Sequence, residues 1–122
     1  MKKIRLYLPA IFWMVLIFFL SSRPGTSVAD NQILNFIFFK SLHLIEYSVL
    51  FFLVYWANKK TFNFSFWEAV LLSFILTIIY AISDEIHQIF VPTREGKLRD
   101  VLIDTFGTFL GSLVVRIKKL DY

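Results

Sequence analysis

The sequence contains no cysteine, which excludes both a disulfide-stapled fold and a thiolate-ligated metal or redox centre. Charge is also scarce: 18% of the 122 residues are charged, against about a quarter in soluble domains. With four glycines and three prolines, the chain has few places to turn, so its elements must be long. Apolar side chains take up the remainder, with 57% of residues hydrophobic, 19% aromatic and 15 of them phenylalanine. A net charge of +4 would suit nucleic acid, but the basic residues gather at the ends of apolar runs. Membrane proteins set their orientation in that way, so nucleic acid is not an expected partner.

Four apolar stretches recur. At about 20 residues per crossing helix, four spans consume roughly 80 residues and leave short loops with no room for a separate soluble domain. The expected fold is all-α: a polytopic membrane protein with four transmembrane helices in one compact bundle, residues 1–122 forming one domain. The first span runs from Ile4 to Ser21, behind Lys2, Lys3 and Arg5. A basic start before an apolar run also fits a signal peptide, with Ser27-Val28-Ala29 as its cleavage site. Arg23 and Pro24 separate that site from the apolar run, and the other spans need a packing partner, so a retained helix is expected. Residues 21–35 read as a loop around Pro24-Gly25. The second span covers Phe36 to Ala57 and ends at Asn58-Lys59-Lys60. The third runs from Phe66 to Phe90, stopped by Pro92, and the fourth from Leu98 to Ile117. Trp56 and Trp67 flank the intervening loop as interfacial tryptophans do.

Basic residues then set an orientation. With the N-terminus inside, Lys2, Lys3, Arg5, Lys59, Lys60, Arg116, Lys118 and Lys119 face the cytoplasm, while Arg23, Arg94, Lys97 and Arg99 face out, with Lys40 near the outer end of the second span. The excess predicts both termini in the cytoplasm. The Ser21–Gly25 segment and the polar ends of spans two, three and four would then meet at the outer face.

Helical spacing sorts the polar residues into stripes, since positions three, four and seven apart share a face. Span two offers Lys40, His43 and Tyr47, with Glu46 at the edge. Span three offers Tyr80, Asp84, His87 and Gln88, with Glu85 to one side. Span four aligns Asp100 and Asp104 with Gly107 and Gly111, a pair that lets a neighbouring helix approach. Each residue has a plainer reading. Tyr47, Tyr80 and Gln88 read as interhelical glue, Lys40 could snorkel to the headgroups, and Arg94, Glu95, Lys97 and Arg99 could form a solvated loop. The convergence of two histidines and several carboxylates is harder to explain as packing alone, because ionisable groups at membrane depth are expensive.

These residues carry a family resemblance. Ser21-Ser22 with Pro24, Lys40-x-x-His43-x-x-Glu46-Tyr47, Asp84-Glu85-x-His87-Gln88 followed by Phe90, Pro92 and Arg94, and Asp100 with Gly107 and Gly111 together make the chain resemble the VanZ-like membrane proteins over nearly its whole length. Asp104 departs from the pattern, standing where the family is associated with Asn. The resemblance implies a bacterial membrane protein of roughly four helices, related to an accessory factor that lowers susceptibility to teicoplanin. It assigns no catalytic residue.

The leading expectation is an outward-facing polar pocket that engages an amphipathic envelope ligand, either a lipid-bearing glycopeptide such as teicoplanin or a lipid-linked cell-wall precursor, among membrane lipids. Its ligand-binding set would be Arg23, Lys40, His43, Glu46, Asp84, Glu85, His87, Gln88, Arg94, Arg99, Asp100 and Asp104. Arg23, Lys40, Arg94 and Arg99 would meet anionic groups. The alternative is a membrane-embedded hydrolase or transferase acting on a lipid or precursor headgroup. In it, Glu85 or Asp84 would be the base and His87 or His43 the acid, with Asp100 and Asp104 available to a metal. A proton relay ranks last, because Leu50–Val54 and Leu113–Val115 are apolar. No cofactor is expected and no dedicated metal cage, since neither cysteine nor a His-x-x-x-His pair marks one.

Overall fold

The computed structural model describes residues 1–22, 30–92 and 96–118. Every regular element among them is a helix: α1 Lys2–Arg5, α2 Leu8–Ser22, α3 Gln32–Thr61, α4 Phe66–Ile89 and α5 Leu98–Ile117. The expected boundaries of spans three and four hold within a residue, and those of the first two do not. The first apolar run is broken at Leu6–Tyr7, where tight bonds form from Leu6 N–H to the Lys3 carbonyl (3.2 Å) and from Tyr7 N–H to the Ile4 carbonyl (3.0 Å). Pro9 accounts for the break, since it has no N–H to give the Arg5 carbonyl and its ring crowds that carbonyl.

Residues 32–35, expected in a loop, open α3. Asn31 caps them, its side-chain oxygen accepting from Ile33 N–H (2.8 Å) and Leu34 N–H (3.4 Å), as an Asn before an apolar run is suited to do. At its other end α3 continues past Ala57 to Thr61, giving 30 residues. Asn58, expected to terminate the helix, is buried inside it. Its amide is partnered on both sides: the Tyr7 hydroxyl donates to Oδ1 (2.6 Å) and Nδ2 donates to Ser73 Oγ (2.9 Å). A fully satisfied amide costs little to bury, so it does not end a helix here.

A four-residue connection, Phe62–Ser65, turns α3 into α4. Lys59 Nζ donates to the Phe64 carbonyl (2.9 Å), and Ser65 with Glu68 closes a capping box. α3 packs against α2, α4 and α5, and α4 reaches both α2 and α5. α3 and α5 run parallel and close. A Cβ added at Gly107 would lie 2.7 Å from the Leu44 carbonyl oxygen, and one at Gly111 would lie 2.8 Å from that of Ser48. Both distances are shorter than van der Waals contact, so only glycine fits at either position. Ser48 Oγ donates to the Gly107 carbonyl (2.6 Å) and seals the crossing. α4 brings its own small stripe, Ala69, Ser73, Thr77 and Ala81, buried at every fourth position.

The molecule is inverted relative to a soluble bundle. Phe90, Phe12 and Trp67 are 80%, 70% and 62% exposed, while Asp104, Ser73 and Thr108 are fully buried. An apolar exterior, with small and polar residues sharing the core with Tyr47, Leu50, Phe51 and Tyr55, is compatible with a lipid environment. α3 and α4 are long and apolar enough to cross a membrane. α2, with 15 residues, is about 22 Å long, short of a hydrocarbon core of about 30 Å. α5 carries Arg99, Asp100, Asp104 and Arg116.

Candidate functional site

The glycine contacts fix how α3 and α5 face each other, and the polar side chains one turn further along inherit that register. Gly111 sits over Ser48 and Gly107 over Leu44. One turn nearer the helix starts, His43 Nδ1 meets Asp104 Oδ1 at 3.0 Å, and beyond it Lys40 Nζ donates to Asp100 Oδ1 at 2.5 Å. The same face of α3 continues to Tyr47, whose hydroxyl donates to Asp84 Oδ2 on α4 (3.3 Å). The Lys40, His43 and Tyr47 stripe thus makes a ladder with one carboxylate for each rung. Asp84, Asp100 and Asp104 are all buried, and a buried carboxylate persists only where donors or opposite charge meet it.

Glu85 is buried as well, rather than set aside on α4. Its Oε2 accepts the Lys97 backbone N–H (3.2 Å) from the segment that opens α5. Gly96 makes that approach possible, since a Cβ there would lie 2.7 Å from the Glu85 carbonyl oxygen and 2.5 Å from Ile89 Cγ1. One carboxylate oxygen each from Asp84, Glu85 and Asp104 lies within 4.8 Å of the other two. The cluster joins α4 to α5 at the end of the bundle where α3 and α5 begin.

His87 does not join this cluster. Its ring stacks on Phe18 of α2 with centroids 4.4 Å apart, and Nε2 lies 3.4 Å from Ser22 Oγ. Glu85 and His87 are two positions apart on a helix and so face different ways, which argues against the pair serving one substrate as acid and base. Gln88 links the two regions, Nε2 reaching both Asp84 Oδ2 (3.3 Å) and Ser21 Oγ (3.4 Å). Glu46 gives its backbone carbonyl to Trp13 Nε1 at 2.9 Å. Tyr80 donates to the Met14 carbonyl (2.5 Å), in keeping with its reading as interhelical glue. The expected convergence of two histidines and several carboxylates is therefore divided between an α3–α4–α5 ladder, which takes His43, and an α2–α4 contact, which takes His87. Arg23 and Arg94 lie outside the described residues.

A shallow groove of about 380 Å³ runs beside the ladder, lined by Phe36, Lys40, Leu44, Arg99, Leu102, Ile103 and Phe106. Its two cations rest over one ring, the Arg99 guanidinium 5.0 Å and Lys40 Nζ 5.9 Å from the Phe36 centroid. Arg99 is exposed and its Nε stands 3.8 Å from Asp100 Oδ1, too far for a tight hydrogen bond. Among the described residues the fork has no tight carboxylate partner, which leaves it available to another anion.

The stripes fit the motif pattern of a known family, and a family model described as VanZ/LLP1 matches residues 6–119. The chain belongs to the VanZ/LLP1 family. No curated protein matches it and no solved structure does. With its apolar helices, family membership identifies this VanZ/LLP1 chain as a membrane protein. Its described polar motif residues lie towards one end of the bundle: Ser21 and Ser22 close α2, Lys40 to Tyr47 occupy the first half of α3, Asp84 to Gln88 end α4, and Asp100 opens α5, with Gly107 and Gly111 further along it. Sequence reasoning missed three supporting features of the VanZ/LLP1 chain: Gly96, Ser48 and the Ala69–Ala81 small-residue stripe. The four-residue repeat of that stripe is visible in the sequence, whereas the roles of Gly96 and Ser48 depend on partners from other helices.

Proposed function

We propose that this VanZ/LLP1-family protein is a four-pass protein of the bacterial cell membrane. Its polar end would face outward, with both termini in the cytoplasm, and it would engage the anionic headgroup of an amphipathic envelope ligand. The observation that carries this reading is the groove, where two cations sit above walls of Phe36, Leu44, Leu102, Ile103 and Phe106. An acyl chain would lie along those walls, and Arg99 would meet a carboxylate or phosphate with its bidentate fork. The resemblance to teicoplanin-associated proteins fits such a ligand, because teicoplanin combines a lipid tail with an ionised peptide core. A lipid-linked cell-wall precursor offers the same chemistry.

The four-pass reading joins α1 and α2 into one crossing segment, Lys2 to Ser22, and lets α5 cross with Asp100 and Asp104 turned inward and Arg99 and Arg116 exposed near its two ends. Orientation is tested with single cysteines, since the parent chain has none. Cysteine in place of Gln32, at the polar end, should react with a membrane-impermeant thiol reagent in intact cells, and cysteine in place of Asn63 should react only after lysis. The opposite labelling pattern would turn the site to the cytoplasm.

The ligand reading is tested in cells by Arg99→Ala. Arg99 is exposed and its ion pair is loose, so folded abundance should stay at the wild-type level, a surface pair of this kind being worth about 0–1 kcal/mol. Protection against teicoplanin should fall severalfold. Unchanged protection at unchanged abundance would remove Arg99 from the site.

A further inference from the structure

The ladder and the neighbouring Glu85 leave three buried oxygens without partners among the described residues. Asp84 Oδ2 is taken by Tyr47 and Gln88, Glu85 Oε2 by the Lys97 N–H and Asp104 Oδ1 by His43. Asp84 Oδ1, Glu85 Oε1 and Asp104 Oδ2 are each buried and have no hydrogen-bond partner among the described residues. The three residues are 3%, 5% and 0% exposed, so bulk water does not supply the missing bonds. An unmade bond on one buried carboxylate oxygen is already costly, and three on adjoining carboxylates require a common explanation.

Charge points the same way. The described donors to Asp84 and Glu85 are a phenol, an amide and a backbone N–H, all neutral. Lys40 is spent on Asp100, outside the trio, and the His43 ring meets Asp104. Carboxylates this close repel one another strongly away from water unless positive charge lies among them.

We infer that Asp84, Glu85 and Asp104 form a binding site for one hard divalent cation of the Mg²⁺, Mn²⁺ or Ca²⁺ class. Oxygens bound to one such ion at about 2.0–2.6 Å can stand no further apart than twice that length, about 4–5 Å. One oxygen from each of the three residues lies within 4.8 Å of the other two, inside the upper end of this range, which the larger Ca²⁺ sets; a smaller ion would draw the three in slightly. The all-carboxylate donor set selects a hard ion over a thiophilic one. His43 is the orienting partner behind Asp104, occupying one carboxylate oxygen and leaving the other unpartnered among the described residues. The inference departs from the expectation, drawn from the missing cysteine and His-x-x-x-His signals, that the chain holds no metal. It goes beyond the amphiphile reading and does not depend on it.

The test uses the purified full chain in detergent, with Mn²⁺ as the probe and no amphiphile present. Loss of the free Mn²⁺ electron paramagnetic resonance signal should saturate at one ion per chain, and added Ca²⁺ or Mg²⁺ should restore the signal by competition. Asp84→Asn and Glu85→Gln should each weaken binding by about tenfold or more, because affinity in such sites follows the number of ligand charges. Thermal melting supplies a second readout. Mn²⁺ should raise the melting temperature of the wild type and raise that of Asp84→Asn by less at the same concentration, since stabilisation grows with how tightly the fold binds its ligand. If one variant fails to fold, the other decides. Absence of saturable Mn²⁺ binding to the wild type would overturn the inference and leave shared protons as the means by which the trio is neutralised. Saturable binding that both variants retain at full strength would overturn it equally, by locating the ion elsewhere.

Discussion

Replacing Gly107 with leucine should all but remove folded protein from the membrane, and replacing Gly111 should do nearly the same. At Gly107 even the first added carbon would meet the Leu44 carbonyl oxygen at 2.7 Å and the Leu44 Cα at 2.9 Å. These are backbone atoms of a helix, which cannot turn aside as a side chain can. Gly107→Ala should therefore cost about 1–3 kcal/mol, the usual range for overpacking, and leucine more. The damage would not stay local. Forcing α3 and α5 apart would break the Ser48 bond to the Gly107 carbonyl and spread the His43–Asp104 and Lys40–Asp100 rungs one and two turns away. Membrane-fraction immunoblots with a protease-resistance assay would measure the effect, and Ile79→Ala on the exposed face of α4 is the control. Wild-type amounts of Gly107→Leu would mean that the two helices are not in contact at this point.

The second large effect belongs to the outermost rung. Lys40→Ala leaves Asp100, which is 5% exposed, without its ammonium partner. Breaking a buried pair on one side costs about 3–5 kcal/mol, and because the Lys40 side chain keeps 20% of its surface exposed, the lower figure is expected here. Abundance should fall sharply in Lys40→Ala and recover in the double variant Lys40→Met with Asp100→Leu, because an apolar pair of similar size replaces the lost attraction without a stranded charge. Protection against teicoplanin should stay lost in the double variant, since Lys40 also lines the groove. Recovery of abundance and protection together would reduce the rung to structural support.

The contrast between these two variants bears on how far the sequence could be read. Gly107-x-x-x-Gly111 in line with Asp100 and Asp104 correctly identified the inward face of α5, because one helix carries the whole pattern. The choice of partners could not be read in the same way. Whether Lys40 meets Asp100 or Asp104 depends on an interhelical register that is set by glycine contacts at Leu44 and Ser48, and no spacing within one helix encodes that. Glu85 shows a related limit. Adjacent positions on a helix point about 100° apart, so face-counting set Glu85 aside from Asp84. Both are buried because α4 is covered from more than one side, by α3 and by α5 with the Gly96–Lys97 segment that leads into it. The start of α4 at Phe66 was expected from the apolar run alone, and the Ser65-x-x-Glu68 capping box that fixes it was not weighed; the Asn31 cap that begins α3 at Gln32 was likewise passed over inside the expected 21–35 loop.

The central claim is that the cationic groove beside the ladder binds an acylated anionic ligand, and its most direct test is an equilibrium titration. Purified protein in nanodiscs would be titrated with teicoplanin, and in parallel with the same glycopeptide stripped of its acyl chain. The wild type should bind the acylated form saturably, bind the deacylated core at least tenfold more weakly, and lose affinity for the acylated form in Arg99→Ala by about 1.5–3 kcal/mol, the worth of a charged hydrogen bond. Binding that is non-saturable, or that is equal for both forms and indifferent to Arg99, would contradict it.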